Sequence, residues 1–261
     1  MNIVYNADCL EAMRKMPDNA FDLAVVDPPY GAGFTEGGGC KGWFSKYHQE
    51  TEKPYNRFGN PGSRFERYKT IKRTGGDGGG WKNSVYGKKI IAWDTAPDKE
   101  YFDELFRISR DQVIWGGNYF SLPPTRCFLI WRKLSISESF TMAMCEYAWT
   151  SFNGNAKMFE YAPQGKANDP RFHPTQKPVE LYAWIFNLFA KPGMKIIDTH
   201  LGSGSSRIAA WEAGLDFVGY EIDKEYYEKQ EERFKKHTAQ GNLFAEPQDN
   251  TKDEQLTLEW R

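Results

Sequence analysis

The chain has 261 residues, of which 40% are hydrophobic and 26% charged, with a formal net charge of −1. That composition excludes a wholly disordered chain, and the length suits one main α/β domain with a sizeable core. Cys9, Cys40, Cys127 and Cys145 form no CxxC pair, which argues against a zinc site or disulfide framework and for a reducing compartment.

Met1 to Leu10 lacks a basic region followed by a long apolar stretch, and the best apolar run, Leu181 to Ala190, contains Asn187 and is too short to span a bilayer. A cytoplasmic protein without a membrane partner is expected. Ile3, Val4 and Tyr5 read as a strand. Asp8 is placed to cap a helix carrying Leu10, Met13 and Met16, which Pro17 and Asp18 end. Phe21 to Val26 is an apolar run broken only by Asp22, as in a strand of a mainly parallel sheet covered on both faces. Asp27, Pro28, Pro29 and Tyr30 follow it directly. A carboxylate, two rigid prolines and an aromatic at the end of a buried strand are the parts needed to hold a flat, amine-bearing ring.

Residues 31–90 depart from the rest of the chain. They carry 12 Lys and Arg against 5 Asp and Glu, a net +7, so the remainder carries −8. The same stretch holds 14 glycines and ten aromatics, among them Trp43, Phe44, Tyr47 and Trp81. Positive charge attracts phosphates, glycines permit close backbone approach, and aromatic faces stack on exposed bases. A loop with solvated charges is the plainer alternative. Its position directly after Asp27 to Tyr30 favours a nucleic-acid contact.

From Ile90 onward the regular pattern resumes. The spacing predicts a helix over 99–109, strands at 112–115 and 127–131, and a strand near 144–150. Pro178 to Ala190 is the clearest helix, with Pro178 at its first position and Lys191, Pro192 and Gly193 as its stop. A strand at 194–198, a Gly-rich turn, a helix at 207–213, a strand at 216–220 and a charged helix from 224 to 236 complete it. Strands alternating with helices indicate a three-layer α/β fold. Residues 1–236 are read as one catalytic domain with 31–90 inserted, and 237–261 as a polar tail that docks or frays.

The second constellation runs from Asp198 through Thr199, His200, Leu201, Gly202, Ser203 and Gly204 to Ser205, at a strand-to-helix junction. Glycines there let the backbone meet a ligand, and the helix N-terminus offers free N–H groups. Glu221 ends the next apolar strand, where an acid accepts both ribose hydroxyls in nucleoside-binding α/β folds. The dinucleotide fingerprint GxGxxG is incomplete because Arg207 stands at the third glycine's place, which disfavours a pyrophosphate ligand.

Three motifs in this order, the Asp27–Tyr30 tetrapeptide, the segment His173, Pro174, Thr175, Gln176, Lys177, Pro178, and the DxxxGSGS turn with its following acid, resemble the amino-group DNA methyltransferases that use S-adenosylmethionine. Catalytic motif first and cofactor loop later resembles the circularly permuted β group. The resemblance implies a Rossmann-like three-layer sandwich, with a mainly parallel sheet ending in one antiparallel strand. It implies that Asp198 holds the cofactor's ammonium, that Gly202, Ser203, Gly204 and Ser205 line it, that Thr175 and Lys177 face its carboxylate, and that Glu221 with Ile222 meets the ribose side. Asp8 and the backbone near Cys9 would meet the adenine. His173 either touches the cofactor or is a histidine restrained by Pro174. His200 stands where the family usually has phenylalanine, either as a satisfied imidazole or as a group whose titration would make cofactor affinity depend on pH.

The resemblance also implies a mechanism. Asp27 accepts one hydrogen of the target amine and the Pro28 carbonyl the other, Pro29 stiffens the turn, and Tyr30 stacks on the base. Double-stranded DNA would be engaged through 31–90, and the target base flipped out of the stack. Adenine is the expected target, since an aspartate heads the tetrapeptide, with the cytosine amine as runner-up. A nucleoside-cofactor oxidoreductase and a DNA-binding protein without catalysis are the readings from other classes. A restriction partner and a homodimer are compatible with the sequence.

Overall fold

The computed structural model describes residues 1–31, 95–136, 143–163 and 169–241. Most of the basic segment and all of the tail beyond 241 lie outside the described residues. In chain order the elements are β1 (Asn2–Tyr5), α1 (Cys9–Met13), β2 (Phe21–Val26), α2 (Lys99–Ile108), β3 (Ser109–Trp115), β4 (Leu129–Lys133), β5 (Cys145–Thr150), β6 (Lys157–Tyr161), α3 (Val179–Phe189), β7 (Lys195–Asp198), α4 (Ser205–Glu212), β8 (Asp216–Tyr220) and α5 (Lys224–Gly241).

The helices start where side chains supply the missing backbone partners. Asp8 Oδ1 accepts from Leu10 N at 2.8 Å and Glu11 N at 3.2 Å, and Asp98 Oδ1 accepts from Tyr101 N at 3.2 Å. Pro178 is the N-cap of α3 rather than its first helical residue, with extended backbone and no side-chain bond. α4 begins at Ser205, two residues ahead of expectation, and α5 runs through Gly241 instead of ending at 236.

Eight strands form one sheet in the order β1-β8-β7-β2-β3-β5-β4-β6. All neighbours are parallel except the two pairings of β5, with β3 and with β4. The single antiparallel strand therefore lies inside the sheet and not at its end, because β4 returns parallel to β3 and β6 extends the sheet beyond it. β6, with sequence KMFEY, went unread in the sequence; it is an edge strand whose Met158 is exposed.

Alternation along the central strands assigns each residue to a layer. Leu23, Val25, Val113, Trp115 and Ile196 face α3 and α4, packing on Leu181, Ile185, Phe186 and Ala209. Ala24, Val26, Ile114 and Ile197 face α1 and α2, packing on Met13, Tyr101, Phe102 and Leu105. Fully burying one such aliphatic side chain contributes roughly 1.5–3 kcal/mol, which explains the continuous apolar run at β2. From the central pair β7 and β2 the chain departs in opposite directions, β7 toward β8 and β2 toward β3. That is a topological switch point, where open α/β sheets bind ligands beyond the strand ends.

Candidate active site

Asp27 and Asp198 stand at the ends of the two strands that flank the switch point. Asp198 is 1% exposed. Its Oδ2 accepts from Ser206 Oγ at 2.5 Å and its Oδ1 from the backbone N–H of His200 at 3.1 Å. No cation is paired with it among the described residues, and burial pushes its pKa up to about 7. A buried carboxylate with its charge uncompensated is a receptor for a cation.

The glycine turn is held on three sides. Gly202 and Gly204 have φ of +54° and +75°, conformations that favour glycine. A Cβ on Gly202 would lie 3.1 Å from His173 Cε1, so the His173 ring rests against the loop. Gly202 N–H donates to Glu221 Oε2 at 2.8 Å, and Asp223 N–H donates to Oε1 at 2.8 Å. Each Glu221 oxygen thus retains a lone pair for a hydroxyl donor. Arg233 donates to Ser203 O at 2.8 Å and to Ser205 Oγ at 2.9 Å, while Ser205 Oγ donates to Lys177 O at 2.7 Å. Ser205 is a tie between loops as the structure stands. Asn6 Nδ2 donates to Glu221 O at 2.8 Å, which brings the end of β1, with Asp8 and Cys9, beside the end of β8. Burial pushes the Cys9 thiol up to about 12, so it is inert as a nucleophile. Ile222 is 69% exposed next to Glu221.

Both histidines are neutral groups. Burial lowers His173 to about 3 and His200 to about 4. His200 Nδ1 lies 3.0 Å from Thr199 Oγ1, which lies 2.6 Å from the buried Tyr101 hydroxyl. His173 Nδ1 lies 3.2 Å from Thr175 Oγ1, and Tyr226 meets its ring edge-on at 4.4 Å.

Around Asp27 the side chains converge. Tyr30 Oη donates to Asp27 Oδ1 at 2.6 Å, and the Lys177 ammonium donates to Asp27 Oδ2. Lys177, expected to face a cofactor carboxylate, is 4% exposed and directs its ammonium at Asp27 and at Glu146, 3.1 Å away. Burial, with Glu146 adding, raises the Asp27 pKa against the pull of Lys177. Lys177 stays protonated because Asp27 and Glu146 outweigh its burial. The Tyr30 ring stacks on Tyr119 at 4.8 Å and 11°. Gly116, at φ +69°, makes room for it, since a Cβ there would overlap Tyr30 Cε1. Pro28 is buried behind Asp27. Trp115 is a core residue, while Gly116 and Gly117 turn the chain and bring Tyr119 over Tyr30.

The two clusters adjoin, close enough for the charge of Asp27 to help raise Asp198. Together they offer one receptor for a cation, one for a diol and one carboxylate beside an aromatic ring. A cavity of about 460 Å³ lined by Phe106, Gln112, Trp149 and Ser151 holds none of these residues. Among the described residues there is no cluster that could hold a metal ion, and no helix long and apolar enough to cross a membrane.

Sequence reasoning missed Glu146 on β5 and Lys133 on β4, whose ammonium lies 2.5 Å from Glu146 Oε1. The signal lay in Glu146, the one charge inside the apolar strand CEYAWT; Lys133, beside Arg132 at the end of LIWRK, carried none.

A family model described as DNA methylase matches residues 43–232, a span that includes the His173 segment and the glycine turn but begins after Tyr30. The chain is 24% identical over 242 residues to "Putative methylase YubD" of Escherichia coli (strain K12), covering 89% of this chain and 90% of that one. Among solved structures, it is similar to the PvuII DNA methyltransferase (cytosine-N4-specific), with a TM-score of 0.51, 12% identity, and 92% and 91% of the two chains covered. TTHA0409 of Thermus thermophilus, crystallised with S-adenosyl-L-methionine, gives 0.50 at 15% identity over 91% and 94%.

Proposed function

The chain belongs to the DNA methylase family, and we propose that it transfers a methyl group from S-adenosylmethionine to the exocyclic amine of adenine in double-stranded DNA. The observation that carries this reading is the pairing of Asp27 with the uncompensated Asp198 at the switch point between β2 and β7.

The residues fit the cofactor. Asp198 would take its ammonium and Glu221 its ribose hydroxyls, Gly202, Ser203 and Gly204 would line it, and Thr175, Asp8, Cys9 and Ile222 would border it. When bound, S-adenosylmethionine supplies a sulfonium methyl group open to displacement.

This chain's own residues prepare the amine. A ring amine is a poor nucleophile because its lone pair is delocalised into the ring. Asp27 accepts one of its hydrogens and the Pro28 carbonyl the other, which turns the lone pair out of the ring plane. Alignment of this kind supplies roughly 7 to 11 kcal/mol of a barrier. Tyr30, seated against Gly116 and tied to Asp27, is the ring on which an extruded base stacks, and Tyr119, half exposed, is the ring that gives way. Extrusion costs a few kcal/mol, and the basic aromatic segment within residues 31–90 is the surface whose phosphate contacts offset it.

Modification-sensitive single-molecule sequencing of plasmid DNA tests the reading. The plasmid comes from a methylation-free host expressing the chain or its Asp27→Ala variant. Methyladenine in one recurring motif, present only with the unmutated chain, is the expected result. Methylcytosine in its place selects the cytosine amine, and no modification by a folded, cofactor-binding protein overturns the function.

A further inference from the structure

Four charges run in a row through the interior beside the site: Asp27, Lys177, Glu146 and Lys133, alternating in sign. The two ammonium groups are nearly fully buried, and each lies over an indole, Lys177 at 5.3 Å from the Trp115 ring and Lys133 at 5.2 Å from Trp131. Taking an ion from water into such surroundings costs several kcal/mol even after relaxation, and apolar side chains would fill the same space at less cost. The row sums to zero charge and ends on Asp27.

We propose that Glu146 is a positioning residue for methyl transfer: it anchors the ammonium of Lys177, and Lys177 in turn fixes the carboxylate of Asp27 for the target amine. This rests on the role given to Asp27 above. A carboxylate has about four lone-pair sites. In Asp27, Oδ1 accepts from Tyr30 and Oδ2 from Lys177, so each oxygen is pinned by one donor and keeps one site for an amine hydrogen. Without Glu146, Lys177 is held by Asp27 alone, so its ammonium is no longer fixed from the far side and the Asp27 oxygens lose their set orientation. Lys177 therefore serves the amine side, and the backbone carbonyl it gives to Ser205 links that side to the cofactor loop.

The groups that face Asp27 come from several elements: Tyr30 on its own turn, Lys177 ahead of α3, Glu146 on β5, Asp198 on β7, and the hydroxyls of Tyr101 and Tyr182 from α2 and α3. Of these, Glu146 raises the Asp27 carboxyl and Lys177 and Tyr30 lower it, while the charge of Asp27 in turn raises Asp198. Removing the Glu146 charge thus moves Asp27 downward.

The test is single-turnover methyl transfer across pH by the full-length protein and its Glu146→Gln variant, with S-adenosylmethionine binding measured in parallel. The expected result is a plateau rate about 10- to 100-fold lower, the cost of a small misplacement, with the acid limb displaced to lower pH and cofactor affinity unchanged. Glu146→Asp, which keeps the charge, recovers part of the rate and the original limb. If Glu146→Gln misfolds because Lys133 is left unpaired, the double variant Lys133→Met, Glu146→Gln removes both charges, and the same rate and limb are read there. An unchanged rate and limb in a folded variant overturns the positioning role alone, as does failure of both variants to fold, which would make Glu146 a structural residue. Absence of transfer by the unmutated protein overturns the function and this role with it.

Discussion

The backbone N–H of Gly202 donates to the carboxylate of Glu221 at 2.8 Å, so the turn after β7 is held by the acid that ends β8. One side chain thereby shapes the loop and offers the diol receptor. Glu221→Ala should abolish measurable cofactor binding and lower stability by about 1.5–3 kcal/mol, the range for a hydrogen bond to a charged group. Calorimetric titration and urea unfolding read the two effects, and wild-type cofactor affinity in the variant would remove Glu221 from the site.

Asp198 must be ionised to hold an ammonium, yet burial has raised it to about 7 in the free protein. Cofactor affinity should therefore rise between pH 5.5 and 7, by at most about tenfold per unit for one proton released. Binding measured in buffers of matched ionic strength checks this. A flat profile over that interval would mean that Asp198 enters binding already charged.

His173 and His200 have folded pKa values of about 3 and about 4 against 6.5 in the unfolded chain. Between those limits the unfolded chain binds protons that the folded chain does not. Their contribution to stability is complete above about 6.5 and is lost as pH falls through about 4 for His200 and about 3 for His173. Unfolding free energies from pH 7 to 4.5 should decline, and His200→Phe should decline less steeply. The same neutrality means that His200 does not make cofactor affinity vary above pH 5.5, where Asp198 sets the trend.

Gly116→Ala places a methyl group where Tyr30 Cε1 now lies, on a backbone at φ +69°. Tyr30 must leave its seat and with it the bond to Asp27. Transfer should fall by about 10- to 100-fold while cofactor binding, on the other strand end, is kept. Loss of both together would place Gly116 in the general architecture instead.

The salt dependence of DNA binding tests the sequence stretch from Lys41 to Arg73. Each neutralised phosphate contact should flatten the slope of log K against log salt by about 0.9. Replacing four of its Lys and Arg residues by Gln should weaken binding and flatten that slope. An unchanged slope would assign the DNA to another surface.

The parallel core was legible because strands buried on both faces are written as apolar runs, and Phe21 to Val26 is such a run. β6 was not, because an edge strand with a wet face, KMFEY, keeps its charges. The antiparallel strand was foreseen but not its place inside the sheet, since nothing in the sequence tells that β4 pairs on the far side of β5, with β6 beyond it. In the site, the strand-end acids Asp27, Asp198 and Glu221 were visible from position alone. The link from Lys177 to Asp27 was not, because it joins residues 150 apart and depends on which of several nearby acids a buried ammonium reaches. Glu146 stood out as a charge inside an apolar strand, but its pairing with Lys133 and Lys177 is one that only packing reveals.

The permuted order also governs when the sheet can be completed. β1 leaves the ribosome early, yet its described neighbour is β8, the last of the described strands to be made. The middle of the sheet joins Lys195 N–H to Asp22 Oδ2 across 173 residues. Until β7 and β8 emerge, β1 and one edge of β2 are unpaired strands with apolar faces, and closing so long a chain segment slows the search. Nascent chains that end before residue 195 hold a half-built sheet and should be bound by holding chaperones or aggregate.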